Sequence, residues 1–410
     1  MRLAGRSREA LLAGALLALL PLAAGCWDRV EIIDRAFVAA AAVDAAPNGY
    51  RLAVQIVLPQ SLATPGGDGG GSGGGRPSVA LLSAEGRTLA EAAGRLDLQA
   101  AGRLFWGQTR LVVVGEALAR RGVAGVVDFL VRNRESRLRT DLLVARGTAA
   151  PLLSLAPPYR DIPAETLYQE LRKGRVPRLY AFEAAIRLRE AGRGFLAPAV
   201  DVARPGLPRP SPSQGGTPTV AAAAQPVLDG AGVFSGDRLV GWLDAPLAQG
   251  ALWLSGQGVG SPVTLAYGGQ PVTLRIERLG VRSRAVRSGG QALIRLRIDV
   301  DDSLEAASGL ELPLDRPDSL ERLSTALAAE VRHRTLAALA ATRRMGADVW
   351  DFGHLLAGQQ PGLWAGGLAR GWPAGLRSLP VDVRVEADIR SPGRLVGSLP
   401  PGRGRPAPGG

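Results

Sequence analysis

Three stretches in the second half of the chain alternate apolar and polar residues with a period of two, the pattern of a strand with one buried and one wet face. Val272, Leu274 and Ile276 alternate with Arg275 and Glu277, and Ile294, Leu296, Ile298 and Val300 alternate with Arg295, Arg297 and Asp299. Near the end, Val381, Val383, Val385, Ala387 and Ile389 alternate with Asp382, Arg384, Glu386, Asp388 and Arg390. Between the last two stretches lies the longest helical pattern, Ser319–Met345, with Leu320, Leu323, Leu327 and Val331 as its apolar stripe. Asp318 and Glu321 form its predicted capping box and Gly346 its stop. Upstream, Gln225–Phe234 and Arg238–Leu243 flank Ser235-Gly236-Asp237, which predicts a hairpin.

The first half reads differently. Ala36–Val43 and the alternating Tyr50, Leu52, Val54, Ile56 and Leu58 flank Pro47-Asn48-Gly49, a second predicted hairpin. Helices are expected from the Thr88/Glu91 cap to Gln99, over Glu116–Arg121 and Val123–Asn133 with a break at Gly122, and over Glu165–Lys173 and Tyr180–Glu190. Strands are expected at Thr109–Val114, Thr140–Arg146 and Phe195–Val202. Two stretches can carry no core: the glycine-rich Pro65–Pro77 and the proline-rich Arg204–Thr219. The fold class is therefore α+β and multi-domain, with mixed or antiparallel sheets each flanked by helices and the long helix against the C-terminal sheet. The expected organisation is a leader over 1–25, an N-terminal αβ domain over 26–155 and a middle segment over 156–219 that ends in the proline-rich linker. A C-terminal α+β domain over 220–392 and a flexible tail over 393–410 follow.

The leader is set apart by composition. Arg2, Arg6 and Arg8 precede the apolar run Leu11–Leu20, Pro21 breaks it, and Ala23-Ala24-Gly25 offers small side chains to a peptidase. The run is shorter than the roughly 20 residues a spanning helix needs. The sole cysteine, Cys26, follows at once. Leu22-Ala23-Ala24-Gly25-Cys26 resembles a bacterial lipobox, with Ala23 where a leucine is usual, so Cys26 is the expected lipid attachment site. Two acyl chains hold a protein at a membrane where one does not.

One cysteine excludes an internal disulfide and a cysteine zinc site, and two histidines, His333 and His354, exclude a multi-histidine centre. The 410 residues carry 49 Lys+Arg against 37 Asp+Glu, a net charge of +12, with Lys173 the sole lysine. The arginines are dispersed and aromatic residues make up 5%, which argues against nucleic acid and for anionic lipid headgroups near the anchor. Gly70-Gly71-Ser72-Gly73-Gly74 matches the letters of a nucleophile elbow but lacks the strand and helix that such an elbow needs. Gly256, Gly258 and Gly260 lack the lysine and full spacing of a phosphate loop. Asp299, Asp301 and Asp302 read as a solvated strand end rather than a metal site, His333 as solvated, and His354 as capping or packing. Glu277 and Glu386, the acids a hydrolase would need, alternate with arginines as ion-paired surface residues. No catalytic residue, cofactor or metal is expected.

Four segments together resemble the Ger(x)C family of spore germination lipoproteins. They are Gly25-Cys26-Trp27-Asp28 into Ala36-Phe37-Val38; Thr109–Ala119 with Gly122 and Asp128-Phe129-Leu130; Val233–Leu243 into Gly250-Ala251-Leu252-Trp253; and Gly346–Gly353 followed by Trp364 and Trp372. The resemblance implies a three-domain, non-enzymatic C subunit of a nutrient germinant receptor, needed for the nutrient-triggered response. It would be lipid-anchored on the outer face of the cytoplasmic membrane, the inner membrane of the spore, beside integral-membrane A-type and B-type subunits. The alternative is a solute-binding lipoprotein of an uptake system, which would need two similar αβ lobes around a cleft.

Overall fold

The computed structural model describes residues 35–57, 79–155, 162–203, 225–307 and 317–391. Cys26 with its leader, the Gly70–Gly74 motif, both low-complexity stretches and the tail lie outside the described residues.

The described strands form two sheets. In the first, of nine strands, β1 (Arg35–Ala46), β2 (Gly49–Val57), β3 (Val79–Gly86), β5 (Leu111–Val114), β6 (Asp141–Ala145), β7 (Gly194–Ala203), β8 (Gln225–Ser235) and β9 (Arg238–Leu243) lie in the order β3-β2-β1-β5-β6-β7-β8-β9. The short β4 (Arg103–Phe105) pairs with the start of β1. The pairs β1–β5, β5–β6 and β6–β7 are parallel; the hairpins at either side are antiparallel. Ala46 pairs with Gly49 and Ser235 with Arg238, so both predicted hairpins close through two-residue turns. Gly236 takes φ of 59°, the left-handed conformation such a turn demands. β7 pairs with β8 along most of its length, so the sheet runs on across the proline-rich stretch rather than ending at it.

One face of this sheet is covered by α1 (Leu89–Gln99), α2 (Glu116–Arg121), α3 (Ala124–Arg132) and α5 (Ala181–Leu188), which bury Leu96, Leu118, Val127 and Ala184 against Val112, Val114 and Phe195. Thr88 caps α1 as predicted, accepting from Glu91 N at 3.1 Å. The return bond of the box goes elsewhere: Glu91 Oε2 accepts from Arg87 N at 2.9 Å. On the other face α4 (Pro163–Arg172) packs Leu167 and Leu171 against Leu111, Val113 and Leu143.

The second sheet orders β10 (Pro262–Tyr267), β11 (Gln270–Ser288), β12 (Gln291–Ala307) and β13 (Val381–Ser391) side by side. It is mixed, because β13 joins β12 in parallel after the crossover through α7 (Pro317–Arg344). Its inner face buries Leu274, Ile276, Leu296 and Ile298 against Leu323, Leu327 and Val331 of α7. Leu320 is only half-buried. The helix starts at Pro317, so Asp318 sits in its first turn instead of capping it, as suits a proline that has no N–H to satisfy.

α6 (Ala245–Leu254) and α7 form a layer between the sheets. Ala248 and Ala251 of α6, with Ala338 and Ala341 of α7, face β7–β9 of the first sheet through Leu196, Val233 and Leu243. Trp253 and Leu254, with the first half of α7, face the second sheet. Small residues let the two helices and the first sheet approach closely, while the bulky ones fill the wider side.

Candidate functional site

The turn after α7 carries the densest polar network. Asp348 is fully buried and its carboxylate accepts from Phe352 N at 2.9 Å, Gly353 N at 2.7 Å and Trp372 Nε1 at 3.0 Å. Burial pushes its pKa up, against the pull of these donors. The same carboxylate caps the start of α8 (Phe352–Gln359), where an anion suits unpaired N–H groups. A Cβ at Gly353 would come within 2.5 Å of Trp372 Nε1, so only glycine lets the indole reach Asp348.

Asp351, at φ of 58°, turns its carboxylate the opposite way, toward the first sheet. It accepts from Arg187 Nη1 at 2.8 Å and Arg193 Nε at 2.9 Å. Arg187 Nη1 also donates to Gly194 O at 2.9 Å, and Gly194 N donates to Asp348 O at 2.9 Å. Side-chain and backbone bonds thus fix the segment after α7 to the start of β7. Nearby, Arg178 grips the fully buried Asp141 at the head of β6 through Nε at 2.5 Å and Nη2 at 2.8 Å. Those bonds push the Arg178 pKa up, and its guanidinium lies 4.7 Å from the Tyr180 ring centre. Gln257, in the loop after α6, accepts from Arg178 N and donates to Arg178 O.

Between these two ion-pair systems lies a pocket of about 200 Å³ lined by Arg178, Glu183, Arg187, Arg193, Gln257 and Trp350. Its guanidinium groups are bound to Asp141 and Asp351. The arrangement is suited to joining two parts of the chain rigidly: paired charges with additional hydrogen bonds are costly to break one at a time.

The residues singled out from sequence do not meet in one place. Asp299 accepts from Arg282 and Arg297 on the wet face of the second sheet, and Arg297 also pairs with Glu386. Glu277 accepts from Ser303 Oγ at 2.7 Å. Asp301 is half-buried beside Arg278, but Asp302 departs from the solvated reading: it is 1% exposed and neither carboxylate oxygen has a hydrogen-bond partner. Ile298, Val300 and Asp302 share the inward face, so the alternation itself puts this carboxyl in the core. Burial first, then Glu277 and Asp301, push its pKa up to about 7. His333 is exposed as expected. His354 neither caps nor packs; it is mostly exposed, with Nδ1 3.4 Å from Glu190 Oε2. Gly256 and Gly260 sit in a left-handed loop, and Gly258 lies against the Trp253 indole. Among the described residues no group of three His, Cys, Asp or Glu could hold a metal ion, and no helix is long and apolar enough to cross a membrane. Sequence reasoning missed Arg187 and Arg193, whose helical and loop settings carry no signal of a partner more than 150 residues away.

Residues 28–202 match the family model described as spore germination protein N-terminal domain, and residues 229–393 match spore germination B3/GerAC like, C-terminal. Spore germination protein KC of Bacillus subtilis (strain 168) is 27% identical over 403 residues, 94% of this chain and 96% of that protein. The putative spore germination protein YfkR of the same organism is 40% identical over 146 residues, 36% of this chain and 38% of its own length. The crystal structure of the GerBC protein shares the fold with a TM-score of 0.53 at 18% identity, covering 85% of this chain and 96% of that one. With both halves matched in order, this chain belongs to the Ger(x)C family of spore germination proteins.

Proposed function

We propose that this chain is the lipid-anchored, non-catalytic subunit of a spore germinant receptor complex, needed for the nutrient-triggered germination response. The observation that carries the reading is positional: the family match begins at residue 28, two residues past the lipobox-like cysteine. Cys26 is the lipid acceptor, and the leader before it is removed. The mature chain is then confined to the outer face of the cytoplasmic membrane, the inner membrane of the spore. Confinement to a plane raises its effective concentration for integral-membrane A-type and B-type subunits without any new contact. The junction in which Asp351 pairs with Arg187 and Arg193 and Gly194 N donates to Asp348 O ties the segment after α7 to β7, which supports a coupling role.

The test is a Cys26→Ala variant expressed in the spore. It is expected to leave the membrane fraction in detergent-free fractionation at high salt, which screens headgroup contacts but not an acyl anchor, and to impair germination. Full membrane retention would overturn the lipid claim.

A further inference from the structure

Arg343 and Arg344 at the end of α7, with Arg377 from the turns before β13, line a concavity of about 530 Å³. Arg343 is held in place by its own chain: Nε donates to Leu376 O at 2.8 Å, and Nη2 donates to Arg377 O at 2.8 Å and Leu379 O at 2.5 Å. Arg344 and Arg377 are exposed. Elsewhere arginines meet acids, as at Arg187, Arg297 and Arg334, but these three have no carboxylate within ion-pair distance among the described residues. Burial lowers the Arg343 pKa with no acid to offset it, leaving a cation in a partly dry setting.

The end of α7 does not account for this gathering. A helix C-terminus carries about half a negative charge, which offsets only a fraction of three cations. Its last carbonyls are already bonded, Ala341 O to Met345 N, Thr342 O to Ala347 N and Arg343 O to Gly346 N. The sequence supplies no acid either: from Phe352 to Val381 there is no Asp or Glu, while Arg370 and Arg377 lie within that stretch. Arginines without acids are drawn to the negative surface of an anionic membrane. Guanidinium groups bind phosphate oxygens in pairs, which a point charge does not do.

We propose that Arg343, Arg344 and Arg377 form a binding site for the phosphate of an anionic phospholipid headgroup. The site would set which side of the tethered body faces the membrane. This inference rests on the membrane-tethered reading above, and its test is independent of acylation. The mature chain without residues 1–25, carrying Cys26→Ala and so no attached lipid, is mixed with phosphatidylcholine vesicles with and without phosphatidylglycerol, and partitioning is measured by flotation. Binding is expected to need the anionic lipid. Arg344→Ala with Arg377→Ala should weaken it about 25-fold, from about fivefold for each cation near an anionic surface. Arg87→Ala with Arg132→Ala, which removes the same two charges elsewhere on the exposed surface, should have a far smaller effect. Arg344→Lys with Arg377→Lys, which keeps the charge and guards against misfolding, should fall between. Equal binding by the alanine pair and the parent, or an equal loss in the Arg87→Ala/Arg132→Ala pair, would overturn the site. Glycerol phosphate that binds the parent chain, with no vesicle preference for phosphatidylglycerol, would overturn the lipid as its source. Failure of the site would leave the Cys26 fractionation result standing, so the two readings fail separately.

Discussion

Gly250 of α6 lies directly against the backbone of Arg334 in α7: a Cβ built on it would sit 2.2 Å from Arg334 O. The contact is backbone to backbone, so no rotamer change relieves it. Gly250→Ala should therefore separate the two helices of the middle layer, although alanine is the better helix former. The expected loss is roughly 1–3 kcal/mol, the range for overpacking a filled core. Chemical denaturation checks it. A variant as stable as the parent would show that the layer can shift without cost.

Asp302 should make stability fall as pH rises. Its folded pKa of about 7 lies above the ordinary carboxyl value of 3.8, so the unfolded chain releases this proton first. Between those two values each pH step favours the unfolded state, and above about 7 the loss is complete. Asp302→Asn removes the ionisation while keeping the shape. The variant should match or exceed the parent near neutral pH by up to roughly 4 kcal/mol, and this gain should vanish below the ordinary carboxyl range. Denaturation midpoints of both proteins across that window test the sign. A pH-independent difference would show that Asp302 does not titrate there.

Asp351 and the two arginines it binds should behave as a unit. Arg187→Ala strips one donor from Asp351 and from Gly194 O, and is expected to cost roughly 1–3 kcal/mol. Asp351→Asn keeps a residue that tolerates φ of 58° but removes the negative charge. Combining them should cost less than the sum, by about 0.5–3 kcal/mol of coupling. Strict additivity in the double-mutant cycle would mean that Arg187 acts through its carbonyl bonds alone.

Trp372→Phe removes the N–H that reaches buried Asp348 and leaves two backbone donors in place. The expected loss is about 1–2 kcal/mol, read in denaturation, together with weaker protection of the Gly353 amide in hydrogen exchange. Unchanged protection would place the anchoring of α8 on the backbone bonds only.

What the chain's pattern carries is local. Ser235-Gly236-Asp237 and Pro47-Asn48-Gly49 announce their hairpins because a two-residue turn needs those residue types whatever surrounds it. The inward faces of β11, β12 and β13 follow from alternation, because successive side chains on a strand must point to opposite sides. Asp302 was legible by the same rule, since it continues the row of Ile298 and Val300. By contrast Ala245–Leu254 shows no helical stripe, and for a physical reason: α6 is covered by a sheet on each side, so nearly every position is apolar. Val79–Gly86 and Pro262–Tyr267 are strands at sheet edges whose burial alternates while residue type does not, since Leu81 and Ala266 stand at exposed positions.

The sequence by itself determined the two hairpins, the inward faces of β11, β12 and β13, and the family likeness. Tertiary structure alone decided that β13 pairs in parallel with β12, that β7 and β8 make one sheet across the proline-rich stretch, and that Asp351 meets Arg187 and Arg193. It also gathered Arg343, Arg344 and Arg377 around one concavity. Turns and strand faces are set by bonds between neighbours, so they are written in short stretches of residues. The junction and the arginine site join residues far apart in the chain, and their geometry exists only once the sheets and the α6–α7 layer have packed.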